Sequence, residues 1–174
     1  MLNHLRLMPR GGGFSVVELL IVVAIVAILS GLAAPSFSSI LTNSRVRTGA
    51  EGILSGLQLA RAEAIRRNTN VSFRLDSGAA WTVATVSPES VVQTRPAAEA
   101  GSNVRVNSAN NRTSVTFNPL GAAASYGSST LTRVTVTPGT SGTGGDSYQI
   151  DVFAGGQIRM CNLAVTAAGD PRKC

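Results

Sequence analysis

Between Phe14 and Ala34 the chain reads FSVVELLIVVAIVAILSGLAA, 21 residues with a single charge at Glu18. A helix of about 20 apolar residues crosses the hydrocarbon of a bilayer. This run therefore has to be covered by lipid or by other helices, or be removed. Ahead of it, MLNHLRLMPRGGG carries Arg6 and Arg10, the positive flank that keeps an N-terminus cytoplasmic and sends the rest of the chain across. A secretory signal peptide cleaved near Leu32, Ala33 and Ala34 is the alternative. Two residues oppose it. Glu18 costs on the order of 2 to 3 kcal/mol at membrane depth, which a mere targeting segment has no reason to bear. Pro35 directly follows the only suitable cleavage point.

The chain as a whole sets further bounds. A chain of 174 residues with 44% hydrophobic and 14% charged content is too short for two ordinary domains and too apolar to be disordered. Aromatics make up 5% and glycine 18 residues, so the core has to come from Val, Ile, Leu and Ala between many turns. The one histidine, His4, precedes the apolar run. With it in a removable leader, imidazole-based nucleophile systems and common zinc sites are excluded, and the nine acidic residues form no catalytic motif. The chain reads as a non-enzyme with no cofactor or metal.

After Pro35, expected to kink rather than stop the helix, Val46, Ala50, Ile53, Leu57, Ala60 and Ala64 recur at intervals of three and four. Such a stripe predicts an amphipathic helix reaching Arg67 or Asn68, with Arg45, Arg47, Glu51, Arg61, Glu63, Arg66 and Arg67 on other faces. Gly49, Gly52 and Gly56 interrupt it at up to about 1 kcal/mol each. Either a close neighbour requires them or tertiary contacts tolerate them. Beyond Asn68 the pattern becomes short Val/Thr/Ile runs bounded by Gly, Pro, Asn and Ser. Strands are predicted near Val71 to Leu75, Trp81 to Val86, Val91 to Thr94, Val104 to Val106, Thr113 to Phe117, Leu131 to Thr137, Tyr148 to Phe153 and Gln157 to Cys161. Tyr148, Ile150 and Val152 alternate with polar neighbours, so one sheet face is covered, most simply by the helix stripe.

Asn118 to Gly121 reads as a turn that delivers Phe117 to the core. The glycine-rich Pro138 to Ser147 lacks the lysine and helix of a phosphate-binding loop and reads as a hairpin connection. Cys161 and Cys174 lie 13 positions apart in a region expected outside the cytoplasm, where a disulfide is the economical reading; two free thiols are the alternative, and a metal pair would need further ligands. Net charge is +6, with Lys173 the sole lysine among 15 basic residues. That excess suits solubility, or contact with an anionic polymer, without the dense basic tract of a dedicated nucleic-acid protein.

The residues GGG followed by FSVVELLIVVAIVAIL resemble the type III signal of type IV pilins and type II secretion pseudopilins. That resemblance implies an α+β pilin fold, a long N-terminal helix packed on antiparallel sheets. It divides the chain into a leader (1–13), a transmembrane and assembly helix (14–34), an amphipathic continuation (35–68) and a β-rich domain (69–174). It further implies cleavage by a prepilin peptidase between Gly13 and Phe14, and N-methylation of Phe14. Glu18 matches the acidic position five residues into the mature chain, where it would neutralise the Phe14 amine of its own or an adjacent subunit. The expected path runs from the inner membrane, with a cytoplasmic N-terminus and a periplasmic domain, to an extracellular pilus of other major and minor pilins.

The segment GGQIRMCNLAVTAAGDPRKC together with the Phe117 to Gly121 turn resembles the GspH/FimT/FimU group of minor pilins. Those proteins are placed at the fibre tip, where they prime assembly, and FimT-like members bind DNA during natural transformation. By that resemblance Arg159, Arg172 and Lys173, with Gln157 beside them, are candidate contacts to double-stranded DNA, and Arg105 and Arg112 are candidate extensions of the patch. The DNA-binding members carry Gly-Arg-x-Arg where this chain has Gly156, Gln157, Ile158 and Arg159, so one cation is missing. A GspH-like pseudopilin of a type II secretion system has the same N-terminus and is the alternative.

Overall fold

The structure, a computed structural model, describes residues 14–99, 103–139 and 145–174, without the side chains of 32–36. The leader with Gly13, and the centre of the Pro138 to Ser147 connection, lie outside the described residues. The chain divides into two units, Met1–Phe37 and Ser38–Cys174, and helix α1, Val16–Arg67, contributes to each.

In the first unit the helix start is capped locally. The Ser15 hydroxyl accepts the Val17 N–H at 3.3 Å and the Ser15 carbonyl accepts the Leu19 N–H at 3.1 Å, so two otherwise orphaned donors are satisfied. Every large apolar side chain from Phe14 to Leu29 is at least half exposed, leaving the rod without a cover of its own. Among the described residues, no helix is long and apolar enough to cross a membrane. The apolar helical stretch with described side chains runs from Val16 only to Gly31, short of the roughly 20 residues a bilayer requires. Helix α1 continues through Pro35.

In the second unit the predicted stripe is the seam of the core. Val46, Ala50, Ile53, Leu57, Ala60 and Ala64 all have no solvent exposure. The helix then ends in a Schellman arrangement: Asn68 takes φ 50°, its N–H reaches the Ile65 carbonyl (3.3 Å), and the Thr69 N–H reaches the Ala64 carbonyl (3.2 Å). Arg66 and Arg67 both bond Glu63, three and four residues before them, placing cations where the helix dipole favours them.

Eight strands follow: β1 Val71–Leu75, β2 Trp81–Val86, β3 Glu89–Arg95, β4 Val104–Ser108, β5 Ser114–Phe117, β6 Arg133–Pro138, β7 Tyr148–Val152 and β8 Ile158–Asn162. They form two four-stranded antiparallel sheets, ordered β3-β2-β1-β5 and β4-β6-β7-β8. Phe73, Val83, Val115 and Phe117 from the first sheet and Val134, Val136, Ile150 and Val152 from the second join the helix stripe in one buried cluster. The fold is thus the expected α+β arrangement of a long helix packed on antiparallel sheets.

Within the strands, differences from the sequence expectation are confined to their ends. Strand β3 extends over Glu89 and Arg95 because the β2–β3 ladder continues to Val86↔Glu89 and Trp81↔Arg95, through polar positions that leave no hydrophobic signal. Leu131 is buried but stands outside β6, its N–H bonded to the Ser114 carbonyl at 2.8 Å. Phe153 leaves β7 to enter a turn, its N–H donating to the Gln157 carbonyl at 2.9 Å.

One helix glycine, Gly56, is explained by close neighbours that cannot swing aside. A Cβ on Gly56 would lie 2.7 Å from the Trp81 ring and 2.8 Å from the Phe73 ring, so the helix approaches the first sheet only because no side chain intervenes. At Gly52 the obstacle is the Arg95 guanidinium, whose flexible end reaches the Glu99 carbonyl at 2.9 Å.

Candidate functional site

Two places in the molecule carry the sequence's candidate functional residues. At the N-terminal place, Phe14 precedes the cap residue Ser15, and Glu18 lies in the first turn of α1. Phe14 is 84% exposed. The spacing Ser15-x-x-Glu18 is also that of a capping box, in which the glutamate side chain favours the helix start. The contact the structure gives is from the Val17 N–H to the Ser15 hydroxyl, one position before Glu18.

At the C-terminal place, strand β8 and the tail are locked together. Cys161 and Cys174 form a disulfide with a Cα–Cα distance of 5.1 Å. The tail also pairs with the free edge of β8: the Asn162 N–H donates to the Arg172 carbonyl at 2.7 Å, and Asn162 bridges to Lys173 in parallel. Closing a loop of this length contributes roughly 3 kcal/mol in the chain-entropy model. Cys174→Ser is expected to lower unfolding stability by about that amount. Denaturant titration of the two proteins, with equal slopes, is the measurement; an unchanged midpoint would mean the bridge holds only the tail.

Of the candidate cations, Arg159 and Lys173 are brought together, with an Arg159 terminal amino group donating to the Lys173 carbonyl at 2.9 Å. The Lys173 ammonium turns to the Thr166 carbonyl at 3.2 Å. Arg172 is engaged differently, because its guanidinium grips Asp170 at 2.7 Å. The side-chain and backbone hydrogen bonds from Arg172 hold the Asp170 carboxyl down to about 2, so the pair stays ionised at neutral pH. Gln157 is exposed immediately before β8, two positions from Arg159 and hence on the same side.

Neither proposed extension joins this group through the sheet. Arg105 lies on β4, the opposite edge from β8, about 14 Å away at three strand spacings. Arg112 bonds the Ser128 carbonyl at 2.9 Å. Sequence spacing could not reveal this, since strand order depends on which sheet each strand joins. Among the described residues no cluster of three or more His, Cys, Asp or Glu could hold a metal ion.

The predicted turn at Asn118 is present and highly organised. The Asn118 side-chain oxygen accepts the N–H groups of Leu120 and Ala122, both at 3.0 Å, and Gly121 adopts φ 77°. Arg61, which the helix pattern assigns to a solvated face, instead donates to the Gly121 carbonyl at 3.1 Å. Gly156, at φ 76°, packs against that same carbonyl so closely that a Cβ would fall 1.7 Å from the oxygen. Helix, turn and β7–β8 hairpin therefore meet at one backbone oxygen.

Comparison with known proteins places these features together. Residues 49–156 match the family model described as type II transport protein GspH, and residues 8–34 match the prokaryotic N-terminal methylation motif. Two crystal structures of the type IV minor pilin FimU of Pseudomonas aeruginosa share the fold at 16% identity. One, in space group P65, has a TM-score of 0.51 over 66% of this chain and 90% of that one. The other, in P21, has a TM-score of 0.53 over 67% and 88%. No curated protein matches the chain. The GspH match stops at Gly156, short of the disulfide-closed tail. Because that match covers more than half of the chain and the methylation motif stands ahead of it, the chain belongs to the GspH family, as a minor pilin or pseudopilin of a type IV pilus or a type II secretion system.

Proposed function

We propose that the chain is a minor pilin of a type IV pilus, built into the fibre near its tip, where it supports assembly. It is made as a precursor, cut by prepilin peptidase between Gly13 and Phe14 and N-methylated on Phe14. Residues 14–34 hold it in the inner membrane, N-terminus cytoplasmic, with the continuation 35–68 and the domain 69–174 in the periplasm until extraction into the fibre. The observation that carries this reading is the position of Glu18, alone in an exposed apolar helix and four residues from the amine that cleavage would create at Phe14. N-terminal mass spectrometry of the native protein tests it: methylated Phe at the mature start is expected, and cleavage after Ala34 would overturn it.

A second reading, a GspH-like pseudopilin of type II secretion, is favoured by the description of the matching family. Complementation separates the two. Restored piliation of a pilin-deficient host supports the first and restored secretion the second.

The tail adds a finer proposal, non-sequence-specific contact with double-stranded DNA through Arg159, Arg172, Lys173 and Gln157. Arg172 and Lys173 inside the disulfide-closed loop, with Arg159 just ahead of it on β8 and Asp170 as an offset, support a modest phosphate-binding surface. The expected salt dependence is shallow, with a slope of about 0.9 per phosphate contacted. Fluorescence anisotropy at several salt concentrations should show the slope falling by about one for Arg159→Ala and rising by about one for Gln157→Arg. Absence of binding to the unmodified protein at low salt ends this part of the proposal and leaves the pilin assignment standing.

A further inference from the structure

On the outer face of the second sheet, a cleft of about 300 Å³ is lined by Ala109, Tyr126, Thr132, Arg133, Asp151 and Phe153. It adjoins the disulfide-closed tail through β8, where Arg159 lies opposite Asp151 and turns to the Lys173 carbonyl. Its walls include two aromatic rings that the core leaves outside, Tyr126 at 50% exposure and Phe153 at 42%. Its polar element is an ion pair between β6 and β7: Arg133 Nε donates to Asp151 Oδ1 at 2.6 Å, across directly opposed strand positions. The second carboxylate oxygen accepts the Gln149 side-chain amide at 2.7 Å. That carboxylate is therefore fixed in place, with its side chain 15% exposed.

The chemistry of the cleft selects a ligand class. Among the residues lining it, one guanidinium and one carboxylate neutralise each other, and Arg159, opposite Asp151 on β8, is directed to the Lys173 carbonyl, so the cleft itself offers little to an anion or a cation. What remains is mixed hydrogen-bonding capacity. The terminal amino groups of Arg133 can donate, Asp151 retains lone pairs, and the hydroxyls of Tyr126 and Thr132 can do either. Next to these lie the ring surfaces of Tyr126 and Phe153, which pack on flat apolar faces. A neutral ligand with one apolar flat face and a rim of hydroxyls that both donate and accept fits all of these features. That describes a pyranose ring. The volume is at the small end for binding sites, suited to one or two sugar units instead of an enclosed oligosaccharide.

We propose that this cleft binds a neutral hexopyranose unit of a glycan. Tyr126 and Phe153 stack against the ring, and the Arg133–Asp151 pair bonds its hydroxyls. The proposal does not depend on whether the chain serves a pilus or a secretion system, nor on the tail binding DNA.

Saturation-transfer NMR tests it on the full-length chain in lauryldimethylamine oxide micelles, a detergent without a sugar headgroup. The probes are maltotriose, cellotriose and N,N′,N″-triacetylchitotriose, with octathymidylate as the nucleic-acid arm. At least one trisaccharide should show ring-proton saturation, and Tyr126→Ala or Phe153→Ala should weaken its apparent affinity about tenfold or more. Both rings are exposed, so these variants should keep the amide spectrum of the parent, which verifies the fold. Asp151→Asn, which keeps the shape and an acceptor but removes the charge balance, should weaken the trisaccharide and let octathymidylate enter. Saturation of no trisaccharide, binding unchanged by both ring variants, or octathymidylate occupying the parent cleft in place of sugar would each overturn the proposal.

Discussion

Glu18→Gln and Glu18→Ala are both expected to enter the membrane normally and to disappear from assembled filaments. The two substitutions separate the roles the residue can play. Glutamine preserves the Ser15-x-x-Glu18 type of capping arrangement while removing the charge; alanine removes both. If the carboxylate serves only the helix start, glutamine should behave as the parent and alanine should cost no more than about 1 kcal/mol. On the proposed reading the charge is the point. Cleavage creates an ammonium at Phe14, and packing it into a bundle of apolar helices without a partner leaves an uncompensated buried charge.

Breaking such a pair costs on the order of 3 to 5 kcal/mol, against a few tenths for an exposed one. At about 1.4 kcal/mol per tenfold, incorporation should fall by roughly a hundredfold to a few thousandfold for both variants. Membrane insertion of the precursor should be equal or better, since a group costing about 2 to 3 kcal/mol at membrane depth has gone. Fractionation into membrane and sheared-fibre pools, with immunoblotting, reads both quantities. Glutamine restoring parental incorporation would reduce Glu18 to a cap.

The legible parts of this molecule are those whose physics is local. The stripe Val46, Ala50, Ile53, Leu57, Ala60 and Ala64 was readable because a helix repeats every 3.6 residues, and all six positions are fully buried. The eight strands were readable because β-branched runs between turn residues have few other uses. Asn118 to Gly121 announced its turn through residue types alone, and Phe117 is buried as expected. Phe14 and Glu18 were readable as a motif, with their chemical roles left to the experiments proposed above.

What the sequence hid depends on strands that are distant along the chain. Nothing in the spacing says that β4 and β8 form opposite edges of one sheet, so Arg105 could be grouped with Arg159 on paper and yet stand across the sheet from it. Likewise, Asp151 between Arg133 and Arg159 is a property of register. Arg61 looked like one more solvated helix charge until the turn at Gly121 brought a carbonyl to it. Gly52 and Gly56 stood equally well for tolerance or contact; the buried rings decide for contact at Gly56, while over Gly52 lies only the movable end of Arg95.

Gly156→Ala is expected to be among the most damaging single-methyl additions in the folded domain. Two costs add. Its φ of 76° lies in the left-handed region, where a side chain costs roughly 1 to 2 kcal/mol relative to glycine. Its Cβ would also stand 1.7 Å from the Gly121 carbonyl oxygen and 2.8 Å from its carbon, and these are backbone atoms that cannot swing aside. Moving them disturbs the bond from Arg61 and the hydrogen bond from the Ala123 N–H to the Ala154 carbonyl at 3.0 Å. Overpacking of this kind costs about 1 to 3 kcal/mol, and the sum, on the order of 2 to 5 kcal/mol, is a large share of the roughly 5 to 15 kcal/mol that typically holds a domain together. Gly78→Ala supplies the control. Gly78 has φ 62° but nothing within 4 Å of the added methyl, so only the conformational cost remains. Urea titration should therefore rank parent, Gly78→Ala and Gly156→Ala in falling order, with the last separated from the second by about 1 to 3 kcal/mol. Equal losses in the two variants would show that the turn and hairpin have room to part, and that the meeting of helix, turn and hairpin at Gly121 is loose.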